Sequence, residues 1–246
     1  MATPADLYAA ILADPDDLDL RRRYADAIEA TDPDRAELIR RDLAGADGTR
    51  ELLILHRRIH PRLANPVSHL LADWRIRDGL VESVTMTART FVDHGHEVWA
   101  NHPVRHLVLV EAAGLMPQVA QVAYLDRLVA LDLRGNPIGD EGLAALVGSP
   151  HLRRLRWLGL ARCGIGQAGA EALAASRNLP TLRFVDLRRN PVEVTAQGYG
   201  QDIDGSPTEV ELPPLGKELV ARYGPLPWLD LRWGLRLYST ALWDEV

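Results

Sequence analysis

Side chains of matching type recur at an interval of 27 residues, three times in succession, along this 246-residue chain. Leu125, Leu152 and Leu179 form one column, and Leu128, Leu155 and Leu182 a second. Leu131, Leu158 and Val185 form a third, and Leu133, Leu160 and Leu187 a fourth. Asn136, Cys163 and Asn190 keep the interval, as do Ile138, Ile165 and Val192. A period of this length means that each copy is one supersecondary unit, too small to bury its apolar face except against a neighbour. Each copy opens on LxxLxL, the alternation of a strand with one buried face. The first continues into Leu143, Leu146 and Val147 at helical spacing, and the second repeats this as Ala170, Leu173 and Ala174. The predicted fold class is therefore α/β, a short solenoid with parallel strands on its concave face and helices on its convex face. Asn136 and Asn190 fall where the chain leaves the strand, where a short amide satisfies buried backbone groups of the turn and its neighbour.

Upstream the pattern degrades. Val104, Leu107 and Leu109 make one more LxxLxL, and Val84 and Met86 predict a first, capping strand, so the repeats span residues 78–193. Residues 1–77 carry no such period and read as an N-terminal helical domain. Pro4 and Pro33 are placed as first-turn prolines, with Thr3 and Asp32 as caps before them. Leu12, Leu18, Leu20, Tyr24, Ile28, Leu38, Ile39 and Leu43 are the expected buried stripe. Residues 194–246 read as a loop and a C-terminal cap. The polar, Gly-containing 195–211 predicts the loop, and LPPLGKELVARYG a short helix. The aromatic close with Trp228, Trp233, Tyr238 and Trp243 is either a cap on the last repeat or an exposed docking tail.

Composition narrows the function. The chain holds 39 Leu, and its basic residues are 27 Arg against one Lys. A net charge of −6 argues against nucleic acid, whose phosphates call for a surplus of positive charge. No apolar run is long enough to span a bilayer, and the N-terminus lacks the basic and apolar segments of a secretory leader, so a cytoplasmic location is expected. The single cysteine, Cys163, excludes an intramolecular disulfide and a multi-thiolate metal site.

The repeat unit LDRLVALDLRGNPIG resembles leucine-rich repeats of the ribonuclease-inhibitor-like class. That class tolerates Cys at the Asn position, which implies that Cys163 is a structural substitution and not a nucleophile. The segment YADAIEATDPDRAELIRRDL resembles the repeat-companion domain at the N-terminus of bacterial leucine-rich-repeat proteins. The match runs from Tyr24 through Arg40 and departs at Ala27, where an aromatic is usual, and at Leu38, which replaces Phe. VTMTARTFVDHGHEVWANHPVRHLVL and LPPLGKELVARYG also look like features of that family, so the resemblance covers nearly the whole chain. It implies a fold and a general binding role, and no particular activity.

Catalytic signatures are sparse. His94, His96, His102 and His106 lie close together with Asp93 and Glu97, the ligand types of a zinc- or iron-dependent hydrolase. Their spacing matches no strong metal motif, and on a helix His94 and His96 point about 200° apart. No GxSxG or GxxxxGK(S/T) occurs. Gly164, Gly166 and Gly169 imitate GxGxxG, but two of them recur one repeat earlier as Gly139 and Gly142 and so mark a strand-to-helix turn. No enzyme activity, metal or cofactor is expected.

The predicted concave face holds the remaining candidates. One column runs His106, Ala130, Trp157, Phe184, and the next includes Asp132, Gly159 and Asp186. A third includes Arg134, Ala161 and Arg188, and a fourth Glu111, Gly135, Arg162 and Arg189. Exposed Trp157 and Phe184 bordered by arginines have the composition of a binding hot spot. Alternatively they stack on each other, or a flanking segment covers them. The arginines suit a carboxylate ligand through bidentate pairing, unless Asp132 and Asp186 neutralise them internally. The leading expectation is a non-catalytic protein- or peptide-binding module, such as an adaptor that recruits a partner to another enzyme. The alternatives are a metal-dependent hydrolase using the histidine region and a regulatory subunit that binds through its N-terminal helices.

Overall fold

The computed structural model describes residues 2–45, 49–194 and 212–229. The expected loop over 195–211 and the aromatics Trp233, Tyr238 and Trp243 lie outside the described residues. The architecture is mixed α/β, and the chain divides into two compact units, residues 1–86 with 93–105 and residues 87–92 with 106–246.

The first unit opens with helices α1 (Pro4–Ala13), α2 (Leu18–Ile28), α3 (Pro33–Leu43) and α4 (Arg50–Leu63). Thr3 and Asp32 cap α1 and α3 as expected, with Pro4 and Pro33 in the first turns. Thr3 and Asp6 exchange side-chain-to-backbone bonds of 3.2 and 2.9 Å, a reciprocal cap. Asp17 and Thr49 do the same work for α2 and α4, accepting from backbone N–H groups one turn in. The core here is Leu7, Ile11, Tyr24, Ala25, Ile28, Ala36, Ile39 and Leu80.

The expected stripe needs correcting at Leu18, which is 45% exposed, and at Leu12, Leu20 and Leu43, which are half-buried. On α2 the buried face is Arg21, Tyr24, Ala25 and Ile28 at i, i+3, i+4 and i+7. A charged residue takes an apolar position because anionic groups meet it there. Arg21 donates to Asp78 at 2.7 Å, to Glu82 and to the Pro15 carbonyl, and only 2% of it is exposed. Burial pushes the Glu82 carboxyl above the usual carboxylate range, against the pull of Arg21.

Strand β1 (Asp73–Arg77) pairs antiparallel with β2 (Leu80–Thr87). Asp78 and Gly79 join them with φ of 48° and 66°, the two left-handed residues of a type I′ hairpin turn. Val84 and Met86 lie on β2 and are buried. Strand β1 was not expected, although the Asp-Gly pair announces it. Helix α5 (Ala88–Asn101) follows.

In the second unit β3 (His106–Val110), β4 (Ala130–Asp132), β5 (Trp157–Gly159) and β6 (Phe184–Asp186) run parallel, each pairing with the next. Their register is the column pattern itself, 27 residues from β4 to β5 and from β5 to β6, and 24 from β3 to β4. Leu107, Leu131, Leu158 and Val185 are rung partners, as are His106, Ala130, Trp157 and Phe184. Helices α6 (Met116–Val119), α7 (Gly139–Val147) and α8 (Gln167–Ala175) follow the first three of these strands, and α7 and α8 bury the predicted Leu143, Leu146, Val147, Ala170, Leu173 and Ala174. Helix α9 (Pro214–Tyr223) lies further along the chain. All four leucine columns are buried, at about 1.5–3 kcal/mol of hydrophobic stabilisation for each side chain.

Polar side chains stitch each unit to the one before. Asn136 accepts from the Ala112 N–H at 2.9 Å and donates to the carbonyls of Leu109 and Leu133. Asn190 accepts from the N–H groups of Cys163 and Ile165 and donates to Leu160 and Leu187. Cys163 keeps half of this pattern, its thiol donating to the Leu133 carbonyl at 3.1 Å. A thiol accepts poorly, and here the Ile138 N–H turns to the Asn136 carbonyl at 2.8 Å. A second ladder keeps the same interval. The hydroxyls of Ser149 and Ser176 donate to the carbonyls of Ala120 and Val147, at the C-terminal ends of the preceding helices. Asp140 on α7 reaches forward to the Gly166 N–H at 2.6 Å and so caps α8, whose own N-cap is a glycine.

Replacing Asn136 with Ala strands the buried Ala112 N–H and Leu109 carbonyl without partners. At about 1–3 kcal/mol for each orphaned group, urea denaturation of Asn136→Ala should show a loss of about 3 kcal/mol.

Candidate binding face

The strand ladders β4–β6 place the predicted site residues in register, but with a different exposure from the expected one. Trp157 and His106 are buried, and Phe184 is half-buried. This corrects the reading of Trp157 as an exposed aromatic. Rung neighbours on parallel strands lie about 4.8 Å apart, close enough to cover one another, and Val129, Ala130, Trp157 and Phe184 form one apolar cluster. His106 pairs in the ladder with Ala130 on the same column.

Gly159 decides where the Trp157 ring goes. A Cβ at Gly159 would sit 2.5 Å from the indole Cη2 and 2.8 Å from an Asp132 carboxylate oxygen. The missing side chain leaves a slot in the second column, and the indole fills it. Asp132 and Asp186, buried to 5% and 1% exposure, flank that slot one strand away on either side.

Each of these aspartates holds the arginine two residues on. The Arg134 Nε lies 2.9 Å from both Asp132 carboxylate oxygens, and its Nη2 lies 2.6 Å from Oδ2. Arg188 binds Asp186 with bonds of 2.8 and 2.7 Å. In both clamps the aspartate also accepts from the arginine's own backbone N–H. The Arg134 guanidinium lies 5.5 Å from the centre of the Trp157 ring and stacks on it. The internal neutralisation kept open above is thus present at Arg134 and Arg188. Their charges are compensated by the fold.

Arg162 and Arg189 differ. Both are exposed, and neither pairs with a carboxylate among the described residues. They stand in a column whose four members share one backbone state, with φ of 57° at Glu111, 81° at Gly135, 58° at Arg162 and 59° at Arg189. This is the left-handed region, natural to glycine and costing other residues about 1–2 kcal/mol. The sequence signal was available, since Gly135 occupies the same column as both arginines.

The histidines do not converge. On α5, His94 is exposed and bonds Glu97 at 3.0 Å, and His96 is exposed. His102 is buried, its Nε2 3.4 Å from the Ala64 carbonyl. Among the described residues no group of three or more His, Cys, Asp or Glu side chains is arranged to hold a metal ion. Burial pushes the Cys163 thiol up to about 11, so no thiolate forms at neutral pH. Also among the described residues, no helix is long and apolar enough to cross a membrane.

A strand, a left-handed exit, an Asn or Cys at the turn and, after β4 and β5, a helix are the parts of a leucine-rich repeat. The family model described as Leucine Rich repeat matches residues 128–147, from the strand before that exit through α7, and supports a leucine-rich-repeat protein. No curated protein and no solved structure matches the chain. Leucine-rich repeats are in general protein-binding modules.

Two outcomes check this chemistry. Cys163 should resist a thiol reagent at pH 8 in the native protein and react stoichiometrically once urea unfolds it. Burial pushes His102 down to about 4, below the unfolded value near 6.5. Its contribution, about 3 kcal/mol, is complete above pH ~6.5 and is lost as the pH falls towards 4. Urea midpoints should therefore fall more steeply with acidification in the wild-type protein than in His102→Gln.

Proposed function

We propose that this chain is a non-catalytic protein- or peptide-binding module, its units forming a short leucine-rich-repeat solenoid, and that it takes an acidic segment of its partner. One observation carries the reading. Arg162 and Arg189 stand on adjacent strand exits, uncompensated by any described carboxylate, in backbone positions that favour glycine. Two like charges side by side repel each other, and a left-handed arginine is strained, so neither residue serves the stability of the unit that holds it. Both features make sense when an anionic group binds there by bidentate pairing. The Asp132–Arg134 and Asp186–Arg188 clamps beside them form a rigid, neutral platform, with Trp157 and Phe184 as its packed floor. The chain as a whole is acidic, which makes this edge the local exception that would steer an acidic partner. An adaptor that brings a partner to a separate enzyme is one form this activity takes.

A second reading, binding through the N-terminal helices, rests on Leu53 and Ile54, adjacent on α4 and 58% and 54% exposed.

The double variant Arg162→Gly/Arg189→Gly separates binding from folding. Glycine suits both left-handed positions, so the unfolding free energy should stay within about 1 kcal/mol of wild type. Polarisation with a fluorescent glutamate-rich peptide should show at least a tenfold loss of affinity, and wild-type affinity should fall with added salt. Unchanged peptide binding in the double variant would overturn the reading. Loss of binding in Leu53→Ser/Ile54→Ser instead would favour the N-terminal helices.

A further inference from the structure

The N-terminal unit contains a cavity of about 320 Å³ whose walls include Tyr8, Tyr24, Arg35, Leu63, Asn101 and His102. Arg35, on α3, lies beside a pair of packed tyrosine rings whose centroids are 5.3 Å apart, its Cζ 5.4 Å from that of Tyr8 and 5.3 Å from that of Tyr24. Its Nε donates to the Gly79 carbonyl at 3.1 Å, which fixes the guanidinium in the cavity wall next to the Tyr8 hydroxyl. No carboxylate pairs with it among the described residues. Asp32, one turn earlier, is held by Arg62 through bonds of 2.7 and 3.2 Å.

The other walls are specific about what they offer. The Tyr8 hydroxyl donates to the Asn101 carbonyl at 2.8 Å, so it is engaged. The Tyr24 hydroxyl has no hydrogen-bond partner among the described residues and is a donor at hand. His102 is 97% buried, with Nδ1 unpartnered, an acceptor inside the same wall. Desolvation keeps this imidazole neutral at physiological pH. The cavity therefore presents one fixed positive charge, one free hydroxyl and an apolar lining, with the unpartnered His102 Nδ1 buried behind its wall.

We propose that this cavity binds a small carboxylate-bearing molecule, with the carboxylate on the Arg35 guanidinium and the Tyr24 hydroxyl and the body of the ligand beside Leu63. The volume is at the lower end of small-molecule sites, roughly 300–1,000 Å³, and suits a ligand of a few heavy atoms better than a long peptide. One guanidinium balances one negative charge, so the site matches a monoanionic carboxylate better than a phosphate dianion, whose second charge would find no cation. The planar fork of arginine also matches carboxylate geometry. The site is independent of the strand-exit arginines, which lie in the other unit.

Calorimetric titration of the full-length protein with benzoate, benzamide and inorganic phosphate tests this. Benzoate should bind and raise the thermal midpoint, whereas benzamide, nearly the same shape without the charge, should do neither. Arg35→Gln should weaken benzoate binding at least tenfold. Tyr24→Phe, which keeps the ring against Arg35 and removes only the hydroxyl, should weaken it several-fold while leaving the midpoint of the free protein unchanged. Benzamide binding as well as benzoate, phosphate binding better than benzoate, or a Tyr24→Phe protein that binds benzoate like the wild type would each overturn the proposal.

Discussion

The backbone polar groups at the strand exits are wholly or partly buried, and the asparagine of the following unit bonds them. That constraint organises the repeat half of the molecule. Asn136 and Asn190 meet it with one short side chain each, accepting and donating at once across the boundary between units. Leucines supply the larger energy, but apolar packing has no direction, whereas the amide does. A unit slipped by one residue would turn its leucines to the wrong face, whereas one slipped by two would keep much of its apolar burial and still lose these bonds. The asparagines therefore fix the register in which the leucines stack. Cys163 shows how far this can be relaxed: the donor function survives in the thiol, and the backbone of the preceding turn folds back on itself to replace the missing acceptor.

Charge follows a comparable logic on the strand face. Two aspartates are buried there, and each is neutralised by the arginine two residues further on, so the face is rigid without being strongly charged. The net positive character is concentrated one residue beyond, on side chains that the fold does not use. In the N-terminal unit the same residue type does three different jobs. Arg21 is an interior cation inside a carboxylate cluster, Arg62 is a partner for a helix cap, and Arg35 is a cation beside two packed aromatic rings. Arginine's delocalised, weakly hydrated charge suits all three settings better than a lysine ammonium would.

Most of the fold was legible in the sequence because a repeat reports the same physical demand several times. The leucine columns, the asparagine positions, the helix faces of α7 and α8 and the proline-led caps of α1 and α3 all stand where periodicity and capping chemistry put them. The exposure of the strand face was not legible. Alternation says that Trp157 points away from the leucine core, yet the ring is buried because Gly159, a residue with no side chain, makes room for it. Such an effect depends on three dimensions and on a neighbour's absence, so no one-dimensional pattern carries it. Strand β1 was missed for a different reason. Its residues, DWRIR, alternate polar and apolar, but the run is only five residues long and lies outside the 27-residue period, so it marks a hairpin only when taken together with the Asp78-Gly79 turn. The Arg35 cavity collects residues from α1, α2, α3, α4 and the end of α5, and nothing in the chain order announces that meeting.

The stitching between units also has a direction. Asn190 and Ser176 complete backbone groups that belong to the unit before them, as Asn136 and Ser149 do one unit earlier. At its strand exit and helix C-terminus each unit is thus finished by its successor, while Asp140 serves the helix N-terminus of the unit after its own. An array built this way is not symmetric under removal from its two ends. Peeling away the last unit uncovers polar backbone in the one that remains, whereas taking the first leaves the later exits already closed. Growth by duplication inherits the same polarity, since a copied unit brings with it the side chains that complete the unit it follows.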